Sequence, residues 1–275
     1  PGTLIDDEQQ AAPYNFLVSV VHDAGMWGLC ALDIASATFM VTTTEDAAKL
    51  RDELSRLRPK EVVVGRNDDH AVKELERSQS YFSTFRFRLE KKDFFTRDEA
   101  SSLADKSCAL LKSYLCELRG TFPEHIGTPA HYSIDQQLLM DEATRENLDL
   151  LPKKKGQKQN LFSVMNYGKT AMAKRMLAKE IAAPSTSLVA IKNRQSMVKE
   201  LVYDHALRAK IRENLGGFYD ISKLTALASS NKIGPRGLAR IRDSLILLES
   251  LKKDIFHSSL EQLKKCAHSI PDVSN

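Results

Sequence analysis

At 275 residues the chain has room for one large domain or two ordinary ones, and its 42% hydrophobic and 28% charged residues are a globular balance that excludes a disordered or fibrous protein. The net charge of +4 permits contact with nucleic acid but lacks the dense basic patch of a dedicated duplex binder. No apolar run approaches the roughly 20 residues of a membrane span, and the acidic N-terminal stretch Asp6-Asp7-Glu8 does not read as a secretory leader. A soluble, cytoplasmic protein with no membrane contact is expected.

The first stretch reads as β-rich. Phe16 to Val21 is a short apolar, β-branched run, so a buried strand is expected there. His22 to Gly25 is turn-like. Trp27 to Asp33 and Thr38 to Thr42 read as two more strands, which makes an antiparallel meander. Thr44 is placed to cap a helix opening on Glu45 and Asp46, with Leu50, Leu54 and Leu57 at helical spacing and Pro59 as its stop. Val62 to Gly65 is a short buried strand, Asp68 to Ser78 a polar helix, and Tyr81 to Glu90 alternates aromatic and polar residues as a strand does. Thr96 with Glu99 reads as a capping box. The helix that follows carries Leu103, Leu110, Leu111, Tyr114, Leu115 and Leu118 and ends at Gly120. Helices and strands alternating after a meander imply a mixed sheet with helices packed on it.

Residues 121–129 hold Pro123, Gly127 and Pro129 and mark the domain boundary. Beyond it the periodicity is helical. Leu161 to Ile181 reads as one helix and Ser187 to Tyr203 as another, with Leu188, Ile191, Val198 and Leu201 as its stripe. Shorter helices are expected at 206–215 and 220–228. A long helix near 236–251 opens on Pro235, and a last one spans about 256–268. A basic loop, Lys153 to Lys158, interrupts the pattern.

Few residues suggest chemistry. Gly168-Lys169-Thr170 is like the end of a phosphate-binding loop, but the glycine needed five positions earlier is Ser163, so an exposed lysine on a helix is the preferred reading. A meander of this kind is compatible with an RNase H-like sheet, whose nucleases gather acids around two metal ions. Asp23 falls in a turn, Asp33 at a strand end and Glu61 before a strand, which assembles no cluster. Cys30, Cys108, Cys116 and Cys266 form no CxxC pair and read as reduced, buried thiols. The histidines (His22, His70, His125, His131, His205, His257 and His268) are scattered. Arg194, Arg208, Lys210, Arg212, Arg236, Arg240 and Arg242 sit mostly on polar helix faces, where solvation is the default and phosphate contact the alternative. No catalytic, cofactor-binding or metal residue is assigned.

Two segments go further. Leu138 to Leu150 holds Asp141, then Thr144-Arg145, then Asn147-Leu148-Asp149, and Asn160 to Leu177 follows the basic loop. Together they resemble the opening of the core domain of MutS-family DNA mismatch repair proteins. Val189 to Leu201 resembles the next lever helix of that family. Pro235-Arg236-Gly237-Leu238 and Ile241 to Leu245 are similar to its Pro-Arg-x-Leu and Leu-Arg-x-Ser-Leu patterns. In the front half, Gly28 to Asp33 with Thr38-Phe39, and Arg58 to Val62, resemble its connector domain. Asp220-Ile221-Ser222-Lys223 departs from the family's usual Asp, aliphatic, Glu and Arg, and Ala173 stands where a glycine is common. Asn166-Tyr167 with Lys169-Thr170 is also similar to the meiotic, branched-DNA-binding branch.

The resemblance implies α/β plus all-α architecture: a linker over 1–13, an RNase H-like connector domain over 14–126 and part of a helical core or lever domain over 127–275. It implies a non-catalytic connector and lever within a longer protein. ATP and Mg²⁺ would belong to a separate ATPase domain, a MutL-type partner would meet the connector, and duplex DNA and a dimer partner would be bound by the full-length protein. A bacterial, nucleoid-associated setting is expected, or a nuclear one in a eukaryote. The start at Pro1 rather than Met fits a piece of a longer chain. A branched-DNA binder and a metal-dependent nuclease are the alternatives.

Overall fold

The computed structural model describes residues 14–77, 83–87, 102–152, 159–256, 258 and 261–272. The linker expected over 1–13, the capping box at Thr96 and Glu99, and the basic loop at Lys153 to Lys158 lie outside them.

Strands β1 (Leu17–Asp23), β2 (Met26–Asp33) and β3 (Thr38–Thr44) form the expected antiparallel meander, with Leu17 opposite Leu32 and Leu32 opposite Phe39. The β1–β2 turn has positive φ at both Ala24 (50°) and Gly25 (78°), the geometry that matches the right-handed twist of a two-residue hairpin. Helix α1 (Ala47–Leu57) crosses to β4 (Glu61–Gly65), which lies parallel to β1. Helix α2 (Asp69–Arg77) leads to β5 (Ser83–Phe87), parallel to β4. After helix α3 (Leu103–Arg119) the two-residue β6 (Ala130–His131) adds to the far edge, parallel to β3. The sheet order is β5-β4-β1-β2-β3-β6. This is the mixed α/β sheet expected of an RNase H-like domain.

The run at 16–21 is apolar on both faces, apart from the hydrogen-bonded Ser19, because both faces of the sheet are covered. Phe16, Val18 and Val20 face α1 and α2, meeting Leu50, Leu54, Val72 and Leu75. Leu17, Leu32 and Val41 face α3, meeting Leu110, Leu111 and Leu115. Leu118 is 54% exposed and drops out of the stripe assigned to it. Helix α3 comes so close to β2 that a side chain at Gly28 would meet the Leu103 carbonyl at 2.8 Å.

The cap of α1 differs from expectation. Asp46, not Thr44, accepts from the Ala48 N–H, and Thr44 Oγ1 accepts from the Asp46 N–H instead. The cap therefore moves two residues on, and Glu45 lies outside the helix. Among the described residues, α3 is capped by Ser102 and Asp105, whose side chains and backbone N–H groups bond reciprocally.

The helical part begins with a short 3-10 turn (Ile134–Gln136) and α4 (Glu142–Asn147). The single helix expected over 161–181 is two, α5 (Leu161–Met165) and α6 (Ala171–Ala182). Asn166 leaves helical geometry, and the buried Thr170 caps α6 by accepting from the Ala173 N–H. A hydroxyl cap interrupted a pattern that apolar periodicity alone would have continued. Then come α7 (Leu188–Tyr203), α8 (His205–Gly216), α9 (Ile221–Ser229), α10 (Pro235–Phe256) and α11 (Glu261–Ser269). Helix α10 runs five residues past its expected end and is the spine on which α8, α9 and α11 pack. The expected helix at 256–268 instead starts at Glu261. No described helix is long and apolar enough to cross a membrane.

Alanine in the left-handed region at position 24 costs roughly 1–2 kcal/mol. Asn at that position tolerates the geometry and creates the preferred Asn-Gly turn. Ala24→Asn is expected to stabilise the chain by about 0.5–1 kcal/mol in urea unfolding; a lower midpoint would contradict this account of the turn.

Candidate functional site: the seam between sheet and helices

The residues that join the sheet layer to the helical layer begin with a carboxylate in the wrong place for a solvated group. Leu50, Leu54 and Leu57 set the buried face of α1, and Glu53 falls on that face, 2% exposed. A buried carboxylate is costly unless paired and hydrogen-bonded. Arg56 Nε and Nη2 donate to its two oxygens at 2.7 and 2.5 Å, and the Tyr132 hydroxyl donates to Oε1 at 2.5 Å. Burial pushes the Tyr132 phenol well above its ordinary range, with the Glu53 charge acting the same way. The tyrosine therefore stays a donor.

Tyr132 lies on a strap that wraps the edge of the sheet. Ile126 still packs on the α3 face, and Tyr132 packs on the α1 face. Between them β6 pairs with β3, and the Tyr132 N–H donates to the Val41 carbonyl. Asp135 then pairs with Lys49 of α1 at 2.5 Å. The strap ends on the α6–α7 connection: Leu138 N–H donates to the Pro184 carbonyl at 2.8 Å and Thr186 N–H to the Gln136 carbonyl at 3.1 Å. One short segment thus bonds to β3, to α1 and to the helical layer.

Two further side chains pin the layers, and a third ties two helices of the helical layer together. Arg145, from the Thr-Arg pair singled out in sequence, donates to the Ser55 hydroxyl at 2.7 Å and to the Asp52 carbonyl at 3.3 Å, both on α1, and to its own Met140 carbonyl. His125 bridges Ile34 after β2 and Ser229 at the end of α9. The Ile34 carbonyl can only accept, so Nε2 donates to it, and Nδ1 meets the Ser229 hydroxyl. Arg175 of α6 forms a two-point pair with Asp220, the cap of α9, at 2.6 and 2.9 Å. Burial alone would push the Asp220 carboxyl up; the Arg175 hydrogen bonds and charge outweigh it and hold the group below its ordinary range. Asp33 and Tyr14 feel the same guanidinium. The acid retained in the Asp220–Lys223 segment is therefore the one that matters to the seam.

The other sequence candidates separate. Thr170 is a helix cap, and α5 rather than a strand precedes it, so Gly168-Lys169-Thr170 has no phosphate-loop geometry. Asp33 accepts from the Ala35 N–H and the Ser36 hydroxyl, shaping the β2–β3 turn, and burial pushes its carboxyl up. Asp23 pairs with Lys106, and Glu61 is buried at the start of β4. Among the described residues no group of three His, Cys, Asp or Glu side chains is placed to hold a metal ion. Arg194 pairs with Glu180, Arg208 donates to the α7 carbonyls of Leu201 and Val202, Arg240 lies over the Tyr219 ring and Arg242 pairs with Asp243. Cys30, Cys108 and Cys116 are buried as expected, but Cys266 is exposed. The Ser244 of the Arg-x-Ser-Leu pattern is buried on α10 and accepts from the Tyr219 N–H. Sequence reasoning missed Glu53, Arg56 and Tyr132. The readable signal was an acid at i+3 within the leucine stripe, with an arginine three residues later.

Arg56→Leu leaves the Glu53 charge buried and uncompensated and is expected to cost about 3–5 kcal/mol in denaturant unfolding. Adding Glu53→Leu should recover most of that loss; no recovery would mean the arginine acts by packing alone.

The depressed Asp220 pKa makes a pH prediction. Its stabilisation is fully present above the unfolded carboxylate value of about 3.9 and is lost as pH falls through the lower folded value. In Arg175→Gln the loss of unfolding free energy between pH 6 and 3 should be smaller than in the wild type, because part of it is already missing at pH 6. Equal pH slopes would remove the pair from the stability account.

The chain matches known proteins along nearly its whole length. The family model for MutS domain II matches residues 15–119, and that for MutS domain III matches residues 143–273. A protein named DNA mismatch repair protein MutS in Carboxydothermus hydrogenoformans is 29% identical over 262 residues, covering 94% of this chain and 31% of the relative. One of the same name in Streptococcus suis is 30% identical over 260 residues, covering 92% and 30%, and one in Streptococcus gordonii is 29% identical over 281, covering 100% and 33%. The chain spans about a third of the length of these curated relatives. With the two domain matches in order on an α/β layer and a helical layer, the chain belongs to the MutS family.

Proposed function

We propose that the chain is the connector and lever region of a mismatch-recognition ATPase, divided at residues 126 and 127, and that it transmits conformational signals without performing chemistry itself. The observation that carries this reading is the strap from β6 to the α6–α7 connection, with its pins at Arg145, His125 and Tyr132. Rigid elements joined through a small number of directional bonds form a coupling element that two distant sites can bias. A MutL-type protein would dock on the connector. Duplex DNA, ATP with Mg²⁺ and a second subunit would be bound by other parts of the full-length protein, in the cytoplasm of a bacterium. Helix α7 supports the lever role: Leu188, Val198 and Val202 are each more than half exposed at helical spacing, a surface suited to lying against further protein.

The test is made on the gene product that contains the chain. Arg145→Ala should leave mismatch affinity and basal ATP hydrolysis near wild type and slow ATP-triggered release from a mismatched duplex by about tenfold, within the usual range of coupling free energies. Unchanged release, or preferential binding of mismatched over matched duplex by residues 1–275 alone, would refute the reading. Salt-sensitive binding of a four-way junction by residues 1–275 would favour the branched-DNA alternative, for which the Asn166–Thr170 segment is the motivation.

A further inference from the structure

Two of the buried thiols belong together. Cys30 sits mid-strand in β2 with no exposed surface, and Cys108 lies on the face of α3 that packs against it, 7% exposed. Their sulfurs are 3.3 Å apart although the residues are 78 positions apart in the chain. A disulfide needs about 2.05 Å between sulfurs, so about 1.3 Å remains to close, within reach of small side-chain rotations. We propose that Cys30 and Cys108 are a peroxide-oxidisable dithiol that closes reversibly to a disulfide fastening α3 to the sheet.

The two sulfurs have different roles. The hydrogen bond to Cys30 holds the Cys108 thiol below its ordinary range, and the Lys112 ammonium, one helical turn on, acts in the same direction. Burial holds Cys30 protonated, well above the ordinary range. Cys108, the sulfur with some exposed surface and with Lys112 one helical turn on, is assigned the attack and the fully buried Cys30 the resolution. The Cys108 sulfur attacks the O–O bond of hydrogen peroxide and takes an OH group; hydroxide leaves and becomes water on gaining the thiol's proton. The Cys30 sulfur then attacks the sulfenic sulfur, its proton goes to the departing hydroxyl, and a second water leaves. Two thiols lose two electrons and two protons, one peroxide gains them, and an external dithiol reverses the step. Cys116 lies on the same helix and is also buried, and Cys266 is exposed on α11. They are internal references.

The experiment uses the folded chain treated with a small excess of hydrogen peroxide, quenched by alkylation and digested without reduction. Mass spectrometry is expected to find a Cys30–Cys108 cross-linked peptide, two hydrogens lighter than its parts. It should form about tenfold faster than oxidation at Cys116, disappear with dithiothreitol, and be accompanied by a higher urea midpoint. In Cys30→Ser the reaction should stop at a Cys108 sulfenic acid that dimedone labels. Oxidation confined to Cys266, or a cross-link that appears only in denaturant, would overturn the proposal. If Cys30→Ser does not fold, the wild-type cross-link and its rate relative to Cys116 decide the question.

Discussion

The buried carboxylate of Glu53 is the constraint from which the seam follows. An acid on the inner face of α1 cannot be left to water, because the sheet closes over it, and cannot be left alone, because an isolated charge in that setting costs several kcal/mol. Arg56 answers the charge from the same helix. The remaining lone-pair capacity is answered from 79 residues away by Tyr132. That long reach means that the chain after α3 must return to the far edge of the sheet and cross to its other face. The pairing of β6 with β3 and the Lys49–Asp135 ion pair both lie on the path so defined. An apolar residue at position 53 would hold α1 equally well and ask nothing of residue 132.

The same logic extends into the helical layer at lower burial. Arg145 and Arg175 act through a planar fork of donors, which fixes direction as well as distance. Arg145 donates to α1 and to its own loop, so α4 cannot slide along α1 without breaking two bonds together. Arg175 ties α6 to the cap of α9 rather than to its body, and the cap is where a helix's orientation is most sensitive. Gly217 packs so closely on α10 that a side chain there would meet Leu247 at 2.7 Å, and Ser244 of α10 accepts from the Tyr219 N–H. The segment leading to the α9 cap is thus held against α10 by a close side-chain contact and a side-chain hydrogen bond.

Much of this fold was legible in the sequence, and the boundary of legibility is physical. The meander showed because a strand buried on both faces is largely apolar, as Leu17, Val18 and Val20 are. Helices α7 to α10 showed because Ser187, Asp220 and Pro235 sit where caps and first turns need them. The break at Asn166–Thr170 did not show. Apolar periodicity runs through it, and only the competition between a Thr170 hydroxyl and the backbone decides that α6 begins afresh. The two-residue shift of the α1 cap has the same origin, since Thr44 and Asp46 are both competent caps and the strand continues to Thr44. The seam was half legible. Arg145, Arg175 and Asp220 lay inside segments marked by resemblance, whereas Glu53–Arg56–Tyr132 depends on a contact between residues far apart in sequence, which periodicity does not encode.

The two faces of the sheet are therefore unequal. The α1 face carries the end of the strap, the Lys49–Asp135 pair and the Arg145 link to the helical layer. The α3 face is closed mainly by apolar packing and by the approach of Leu103 to Gly28, with the Ser19 hydroxyl donating to the Ser107 carbonyl within it. Displacing the helical layer would strain directional bonds on the first face first, and the sheet, paired across six strands, would pass that strain on as a rigid body rather than absorb it. The Cys30–Cys108 pair sits on the second face, on β2, whose neighbour β3 bonds to the strap. Fastening α3 there would tie that helix to the sheet without touching any bond in the seam.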